Sequence, residues 1–534
     1  MSVKWQILFC PASDRFPEGC FHSSLIKRKT MALISGEFLA FCLLLTIVYY
    51  LVPGRFQNAL LLAANVIFLL PLGSFPIALG FLTASIVSVY AAARFIGLHR
   101  GSSSAKCIYI LTVLLNLGFL FAFKYLPCSQ NVLSALHIPV SVPDLSAVAP
   151  LGISFYTLQL LGYLISVNDG GLEPERSFLR FAVFGSFFPQ ITSGPISRYE
   201  ALAPQFSSRR SFSYENLTRG SQRILWGFFK KLVISERAAV PVNTIFGNYG
   251  LYNGFYIPVA AILFAFQLYC DFSGCMDIVI GMAEVLGITL PDNFTSPFFS
   301  RSMTEFWRRW HITLGTWCKD YVFYPIQKSE LFYRIREKSI RHFGRKKGKK
   351  VPMYLAMFLM WFVVGFWHGG FLKYIIGSGL LHFCYIFLEQ EGAPLWNRIN
   401  RLLHIQTESA GHITFQRIRT FLLVCSGFIF FRADSFATAL HMYRAIGTWN
   451  LSVFSMTGFT TLGLDLYDIL VLILSLLLMF YVESLQQKGS VRSMAAQQSL
   501  PLRWLLYLGL FFIVIILGEY GSGFQAESFI YANF

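Results

Sequence analysis

Apolar blocks long enough to form membrane helices recur along almost the whole chain, near 37–53, 57–72, 74–96, 105–125, 147–167, 178–196, 221–235, 255–290, 352–369, 371–388, 417–432, 467–484 and 502–519. A helix that spans a bilayer needs about 20 largely apolar residues, and the 255–290 block is long enough for one or two passes. Several blocks are short or broken by Gly and Pro. Such breaks persist at membrane depth only where the backbone is buried in protein or lines a cavity. The pattern predicts an all-α, polytopic integral membrane protein with about eleven transmembrane helices, joined by re-entrant or interfacial ones. Residues 1–30 mix Pro, Asp, Glu, Lys and Arg without a sustained apolar core, so they read neither as a span nor as a signal peptide. A second methionine, Met31, stands just before the first block. The expected organisation is an extension at 1–30, disordered or upstream of the true start, one membrane domain at 31–519, and an extracytoplasmic tail at 520–534.

Polar residues bunch within this apolar pattern. His368 lies in Val363-Val364-Gly365-Phe366-Trp367-His368-Gly369-Gly370, inside the apolar stretch from Met353 to Phe371. A charged group at that depth costs roughly 2.5 kcal/mol or more, which makes an intramembrane ionisable residue a functional candidate. Histidine can also accept and return a proton near neutral pH. A neutral imidazole hydrogen-bonded between packed helices is the plainer reading, and a second histidine weighs against it. His311 ends the run Phe306-Trp307-Arg308-Arg309-Trp310-His311, which is too polar and too aromatic for a plain span.

Four clusters carry most of the other polar groups. The first, PLGISFYTLQ (150–159), places Ser154, Tyr156, Thr157 and Gln159 in an apolar helix, where helix–helix hydrogen bonding explains them without function. The second, FFPQITSGPISRY (187–199), breaks a helix with Pro and Gly as a cavity lining would. In the third, YCDFSGCMD (269–277), Asp271 and Asp277 are costly unless paired or hydrated. They could hydrate a tunnel, orient a histidine, or pair with Arg308, Arg309 or Arg432. The fourth, Asn293 to Pro325, interleaves Trp307, Trp310 and Trp317 with Arg301, Arg308 and Arg309. That mixture suits an interfacial helix or a donor pocket in which arginines bind phosphate oxygens.

Composition sharpens the class. Only 13% of the 534 residues are charged and 55% are hydrophobic, whereas a soluble domain carries about 25% charged residues. The net charge is +17, and its location matters more than its size. Lys and Arg cluster at 94–106, 198–237, 398–419 and 488–503, and most densely from Lys328 to Lys350. These loops are expected to face the cytoplasm and to attract anionic lipid headgroups, with recruitment of an anionic thioester donor possible on top. Nucleic-acid binding is disfavoured, because no soluble basic module accompanies the charge. No Lys or Arg follows Glu519, so the C-terminus is expected outside. The ten cysteines show no CxxC or Cys/His spacing, so no metal site is expected.

With these blocks assembled, the chain resembles the membrane-bound O-acyltransferase family, in the branch that includes bacterial alginate O-acetylation proteins and teichoic-acid D-alanyl transferases. The resemblance rests on PLGISFYTLQ, FFPQITSGPISRY, YCDFSGCMD, NFTSPFFSRSMTEFWRRWHITLGTW (293–317), GFWHGG (365–370) and FFRADSF (430–436), in that order. The FWRRWH…GFWHGG pair is the specific part. The resemblance implies tilted helices around a thinned centre with a tunnel, His368 as the catalytic histidine and His311 as its companion. It further implies transfer of acetyl from acetyl-CoA, or from an acyl carrier thioester, toward an exported or cell-wall polysaccharide. An SGNH-hydrolase-like extracytoplasmic acetyltransferase is the implied partner, and the bacterial plasma membrane the implied location. The tail, Ser528-Phe529-Ile530-Tyr531-Ala532-Asn533-Phe534, is similar to that of the small peptide accompanying the D-alanyl transferases. That likeness makes Tyr531 a candidate acyl relay, against the alternative of an amphipathic tail on the membrane surface.

The chemistry agrees. A hydroxyl attacking a thioester must lose its proton, which a neutral imidazole can take, and the tetrahedral oxyanion needs a donor. His368 is the expected base. His311 is expected to orient the donor or stabilise the oxyanion. Trp307, Trp310, Trp367, Arg308, Arg309, Asp271, Asp277 and Gln159 are candidates for lining the donor site or tunnel. No GxSxG elbow is present, which disfavours a serine acyl-enzyme. Alternatives are a D-alanyl or other acyl transferase using a phosphopantetheine carrier and, from another class, a transporter or lipid flippase with Asp271, Asp277 and His368 on its path.

Overall fold

The computed structural model describes residues 31–520, apart from residue 73 and a set of positions between 127 and 147. The 1–30 extension and Tyr531 lie outside the described residues. Those described are overwhelmingly helical and contain no strand, only a single antiparallel bridge between Phe294 and Trp310. Seven helices are long and apolar enough to cross a membrane: Phe75–Leu98, Ser103–Tyr125, Tyr256–Val285, Lys350–Trp367, Ala410–Arg432, Leu466–Gln486 and Leu500–Leu517. Gly36–Leu51 and Gly54–Leu69 are apolar but shorter, at about 24 Å each for a 1.5 Å rise. Ser35, Ser102 and Ser409 start three of these helices by accepting a backbone N–H, as N-caps do.

The blocks that fall short of a full span have local causes. The 147–167 block becomes Ile153–Asn168, which starts only after Gly152 in a left-handed turn. A side chain at Gly152 would collide with the Ile191 carbonyl. The 178–196 block stops at Ser186, and only the short turn Phe188–Ile191 follows. The 255–290 block is one helix, not two. It is also the hub, with 83% of its apolar window buried in protein, against 6% for the lipid-facing Leu500–Leu517. Its neighbour Tyr214–Phe228 continues through a π-helical segment, Phe229–Ser235, into Glu236–Gly247. Glycines let these two helices approach: a Cβ on Gly227 would lie 2.6 Å from the Gly274 carbonyl oxygen, and one on Gly220 2.5 Å from that of Gly281. Small residues at such crossings bring backbones into contact in membrane proteins.

Asp271 and Asp277 of the hub helix are both paired, but not with the expected arginines. Lys231 Nζ lies 2.6 Å from both Asp271 and Glu236. Asp277 is bridged by Lys230 at 2.6 Å and Arg223 at 2.9 Å. The reason is packing: the 214–247 helical stretch lies along the hub, whereas Arg432 donates to Asn243 and Arg309 pairs with Glu305.

Candidate active site

His311 is built into a knot of backbone. Thr295 N–H donates to the Arg309 carbonyl and Ile312 N–H to the Asn293 carbonyl, each at 3.0 Å. This pairing pins the chain on either side of His311 between the helices Met303–Arg309 and Ile312–Cys318. His311 itself adopts a left-handed conformation, φ 46°. Such a conformation is uncommon for a residue with a side chain and tends to mark functional positions. The ring is buried, edge-on to Phe272 at 4.9 Å between centroids. Its Nδ1 lies 3.2 Å from Asn293 Oδ1. That oxygen also accepts from Thr313 N–H at 3.1 Å and Thr313 Oγ1 at 2.9 Å. The Asn293 amide is therefore oriented with oxygen toward the cluster. Nδ1 of His311 must carry the hydrogen, and in the neutral ring the lone pair sits on Nε2.

His368 closes the Lys350–Trp367 helix as its C-cap and is 4% exposed. Its ring faces Phe431 at 5.7 Å and Tyr374 at 6.5 Å. Trp367 joins the two histidines, with centroids 6.1 Å from His311 and 5.1 Å from His368. The other side of Trp367 meets Phe155 edge-on at 5.5 Å and the Lys124 ammonium at 4.8 Å. Lys124 donates to Ser154 Oγ at 3.1 Å, and Tyr125 OH to the Trp367 carbonyl at 3.3 Å. Lys124, His311 and His382 all lie close enough to act electrostatically on His368. After His368 the chain turns through Gly370 at φ 74° into the π-helical segment Tyr374–Leu380. That segment packs backbone to backbone on the preceding helix: a Cβ on Gly379 would lie 2.5 Å from the Trp361 carbonyl oxygen.

The remaining candidates separate into neighbours and supports. Trp367 is at the centre and Trp307 borders it. Trp310 is fully buried among Phe294, Phe298, Phe306 and Phe428, where it is core. Arg308 is exposed, and Arg309 is held by Glu305 at 2.7 Å and Gln487 at 3.1 Å. Gln159 donates to the Phe184 carbonyl at 2.7 Å and ties two helices together. Asp271 and Asp277 belong to the ion-pair clusters of the hub. Lys124, Asn293 and His382 were not singled out from sequence. Lys124 is an ionisable residue at the end of the 105–125 block and His382 one inside the 371–388 block, and that is the signal the sequence offers. Among the described residues there is no group of His, Cys, Asp and Glu suited to a metal ion.

A buried histidine pair at the meeting point of membrane helices defines a polytopic membrane protein with an intramembrane polar site. Residues 173–336 match the family model described as MBOAT, membrane-bound O-acyltransferase family. The probable alginate O-acetylase AlgI of Pseudomonas syringae pv. tomato is 31% identical over 425 residues, covering 78% of this chain and 75% of that protein. The peptidoglycan O-acetyltransferase of Helicobacter pylori is 29% identical over 398 residues, 68% of this chain and 69% of that one. The teichoic acid D-alanyltransferase of Bacillus subtilis is 27% identical over 355 residues, 63% and 81% of the two chains. The chain belongs to the membrane-bound O-acyltransferase family, a family of acyltransferases.

Proposed function

We propose that the protein passes an acetyl group from a cytosolic thioester, acetyl-CoA or a carrier-bound equivalent, through the membrane to a hydroxyl on the route to an exported or cell-wall polysaccharide. The observation that carries this reading is the convergence of His311 and His368 on Trp367, in a buried site bordered by Lys124. His368 takes the proton of the attacking hydroxyl as its oxygen adds to the thioester carbonyl. The tetrahedral intermediate collapses, the C–S bond breaks, and the thiolate leaves with the proton returned by the imidazolium. His311, fixed by Asn293 with its hydrogen on Nδ1, offers a lone pair and not a donor in its neutral form. This favours an orienting role for it, and leaves oxyanion stabilisation to donors such as the Lys124 ammonium.

The basic loops are assigned to the cytoplasm of a bacterial plasma membrane and the tail to the outside. Tyr531 is the candidate first acceptor, handing acetyl to an SGNH-hydrolase-like partner. Support for this comes from the anchoring of the chain just before the tail. Glu519 N–H donates to the Leu232 carbonyl at 3.0 Å, and Arg237 pairs with Glu519 at 3.1 Å. From Glu519, an extended chain reaches Tyr531 across up to about 40 Å. Removing the last seven residues is expected to abolish transfer; a deletion that transfers normally removes Tyr531 from the scheme.

The experiment is a measurement of ester-linked acetate on envelope and exported glycans of the native host. Wild type is compared with a deletion, and with the deletion carrying His368→Ala at matched protein level. Acetate lost in the deletion and not restored by the variant supports His368-dependent O-acetyl transfer. Full restoration by the variant overturns the catalytic assignment. Acetate unchanged in the deletion overturns the acetyl reading, and esterified D-alanine is then the product to measure.

A further inference from the structure

Below His368, toward the basic loop, three aromatic rings meet, and each carries a buried polar atom that has no hydrogen-bond partner among the described residues. Trp307 from the Met303–Arg309 helix, Trp361 from Lys350–Trp367 and His382 from Leu381–Leu402 meet at centroid distances of 4.8, 4.8 and 6.0 Å. Trp307 Nε1, Trp361 Nε1 and His382 Nδ1 are all buried, and none has a hydrogen-bond partner among the described residues. Burying one such group unsatisfied is unfavourable, and three in contact at one place mark a polar guest rather than core packing. Elsewhere the chain does satisfy a structural indole: Trp317 Nε1 donates to the Leu158 carbonyl at 2.8 Å. Trp367 Nε1 is likewise without a partner among the described residues, so the ring that joins the two histidines carries a further unsatisfied indole N–H.

We propose that Trp307, Trp361 and His382 hold an amide of the donor's pantetheine arm and so position its thioester for His368. This rests on the thioester-donor reading above. The chemistry fits: two indole N–H groups can donate to an amide carbonyl and an imidazole nitrogen can accept its N–H. The position fits as well. Trp361 and His368 are seven residues apart on one helical face, about 10 Å along the axis. An extended pantetheine arm separates its thioester from its farther amide by a length of that order. The helix begins at Lys350, in the basic region assigned to the cytoplasm, so a donor entering there meets the box before it meets His368.

The test uses the full chain in lipid nanodiscs, with an oligosaccharide added as the hydroxyl acceptor that takes the acetyl group, and follows free thiol released from three probes. These are acetyl-CoA, S-acetylpantetheine, which keeps the amides without the nucleotide, and S-ethyl thioacetate, which has neither. Trp307→Phe and Trp361→Phe keep the rings and remove the N–H donors. Each is expected to lower kcat/KM for the two amide-bearing donors roughly tenfold, mainly through KM, and to leave S-ethyl thioacetate within about twofold. His382→Asn, which keeps a polar atom near Nδ1, is expected to retain more pantetheine selectivity than His382→Phe. Equal losses on all three probes mean a structural role and overturn the proposal, as does no loss on any. A wild type with no preference for S-acetylpantetheine over S-ethyl thioacetate also overturns it. A wild type that cleaves no thioester removes the donor reading itself, and the box with it.

Discussion

The side-chain oxygen of Asn293 lies 3.2 Å from Nδ1 of His311 and at the same time accepts two hydrogen bonds from Thr313. One amide thus sets both the tautomer of the histidine and the direction its Nε2 faces. His311 occupies a left-handed turn, and its ring is packed edge-on against Phe272. Asn293→Ala is expected to lower the rate of acyl transfer by the order of 10²-fold, the penalty that a displacement of about 1 Å brings in a positioned site. Protein level and monodispersity should change little. Measured transfer within about twofold of wild type would sink the orienting role.

A second prediction concerns the glycine contact that seats the His368 helix. A Cβ on Gly379 would lie 2.5 Å from the Trp361 carbonyl oxygen and 3.1 Å from Gly365 Cα. Backbone on one side leaves no flexible side chain to yield. Gly379→Ala is therefore expected to destabilise the protein by about 1–3 kcal/mol, as overpacking does, and to reduce activity by shifting His368 against Phe431. Gly509→Ala is the matched control, since nothing lies within 4 Å of a Cβ there and alanine favours a helix by about 1 kcal/mol. Thermal unfolding in detergent should separate the two variants in opposite directions. Equal melting temperatures for the pair would contradict the packing argument.

The buried cations of the hub carry a third prediction. Lys231, 2% exposed at its side chain, sits between Asp271 and Glu236, which are also buried. Removing one member of such a cluster costs about 3–5 kcal/mol, because the opposite charges stay buried. Lys231→Met is expected to lose folded protein sharply. Adding Asp271→Asn and Glu236→Gln to it should recover most of the loss, since neutral isosteres remove the uncompensated buried charge. A triple variant no better expressed than Lys231→Met argues for a need for charge itself at this position, beyond stability.

How far the sequence reveals this molecule differs from one feature to another. The class is legible, and both histidines stand out as candidates, because membrane depth makes an ionisable residue conspicuous, and FWRRWH and GFWHGG are dense, ordered motifs. The partners of Asp271 and Asp277 are not, because pairing follows which helices lie side by side. The sequence offers Arg308, Arg309 or Arg432 as partners, and packing supplies Lys230, Lys231 and Arg223. Trp310 and Gln159 stand out in sequence for the same reason that the fold packs one and hydrogen-bonds the other: a tryptophan or amide within an apolar block must be satisfied or packed somewhere. His382 stayed hidden because it starts a helix, next to Leu381 and Phe383, with no neighbouring motif to raise it. Only the meeting of three helices shows what surrounds it.

The last prediction concerns pH and lies outside the membrane-spanning segments, in the linker at 170–177. Half-buried Glu175 accepts from Ser177 N–H at 2.8 Å, Arg176 N–H at 2.7 Å and Tyr199 OH, and pairs with Arg180 at 3.0 Å. Burial alone would raise its pKa. The two backbone N–H groups, the tyrosine hydroxyl and the Arg180 guanidinium outweigh burial and hold the carboxyl below its ordinary value. A carboxylate with a depressed folded-state pKa adds stability at pH values above its unfolded pKa of about 4.3. That contribution is lost as the pH falls through the lower, folded value. Wild type should therefore melt higher than Glu175→Gln at pH 7, with the gap narrowing below about pH 4.3 and closing once the carboxyl is protonated in the folded protein. Thermal unfolding of both proteins in one detergent across that range reads the gap directly. A gap that stays constant through the acid range means that Glu175 supports the linker by shape and hydrogen bonding alone, without its charge.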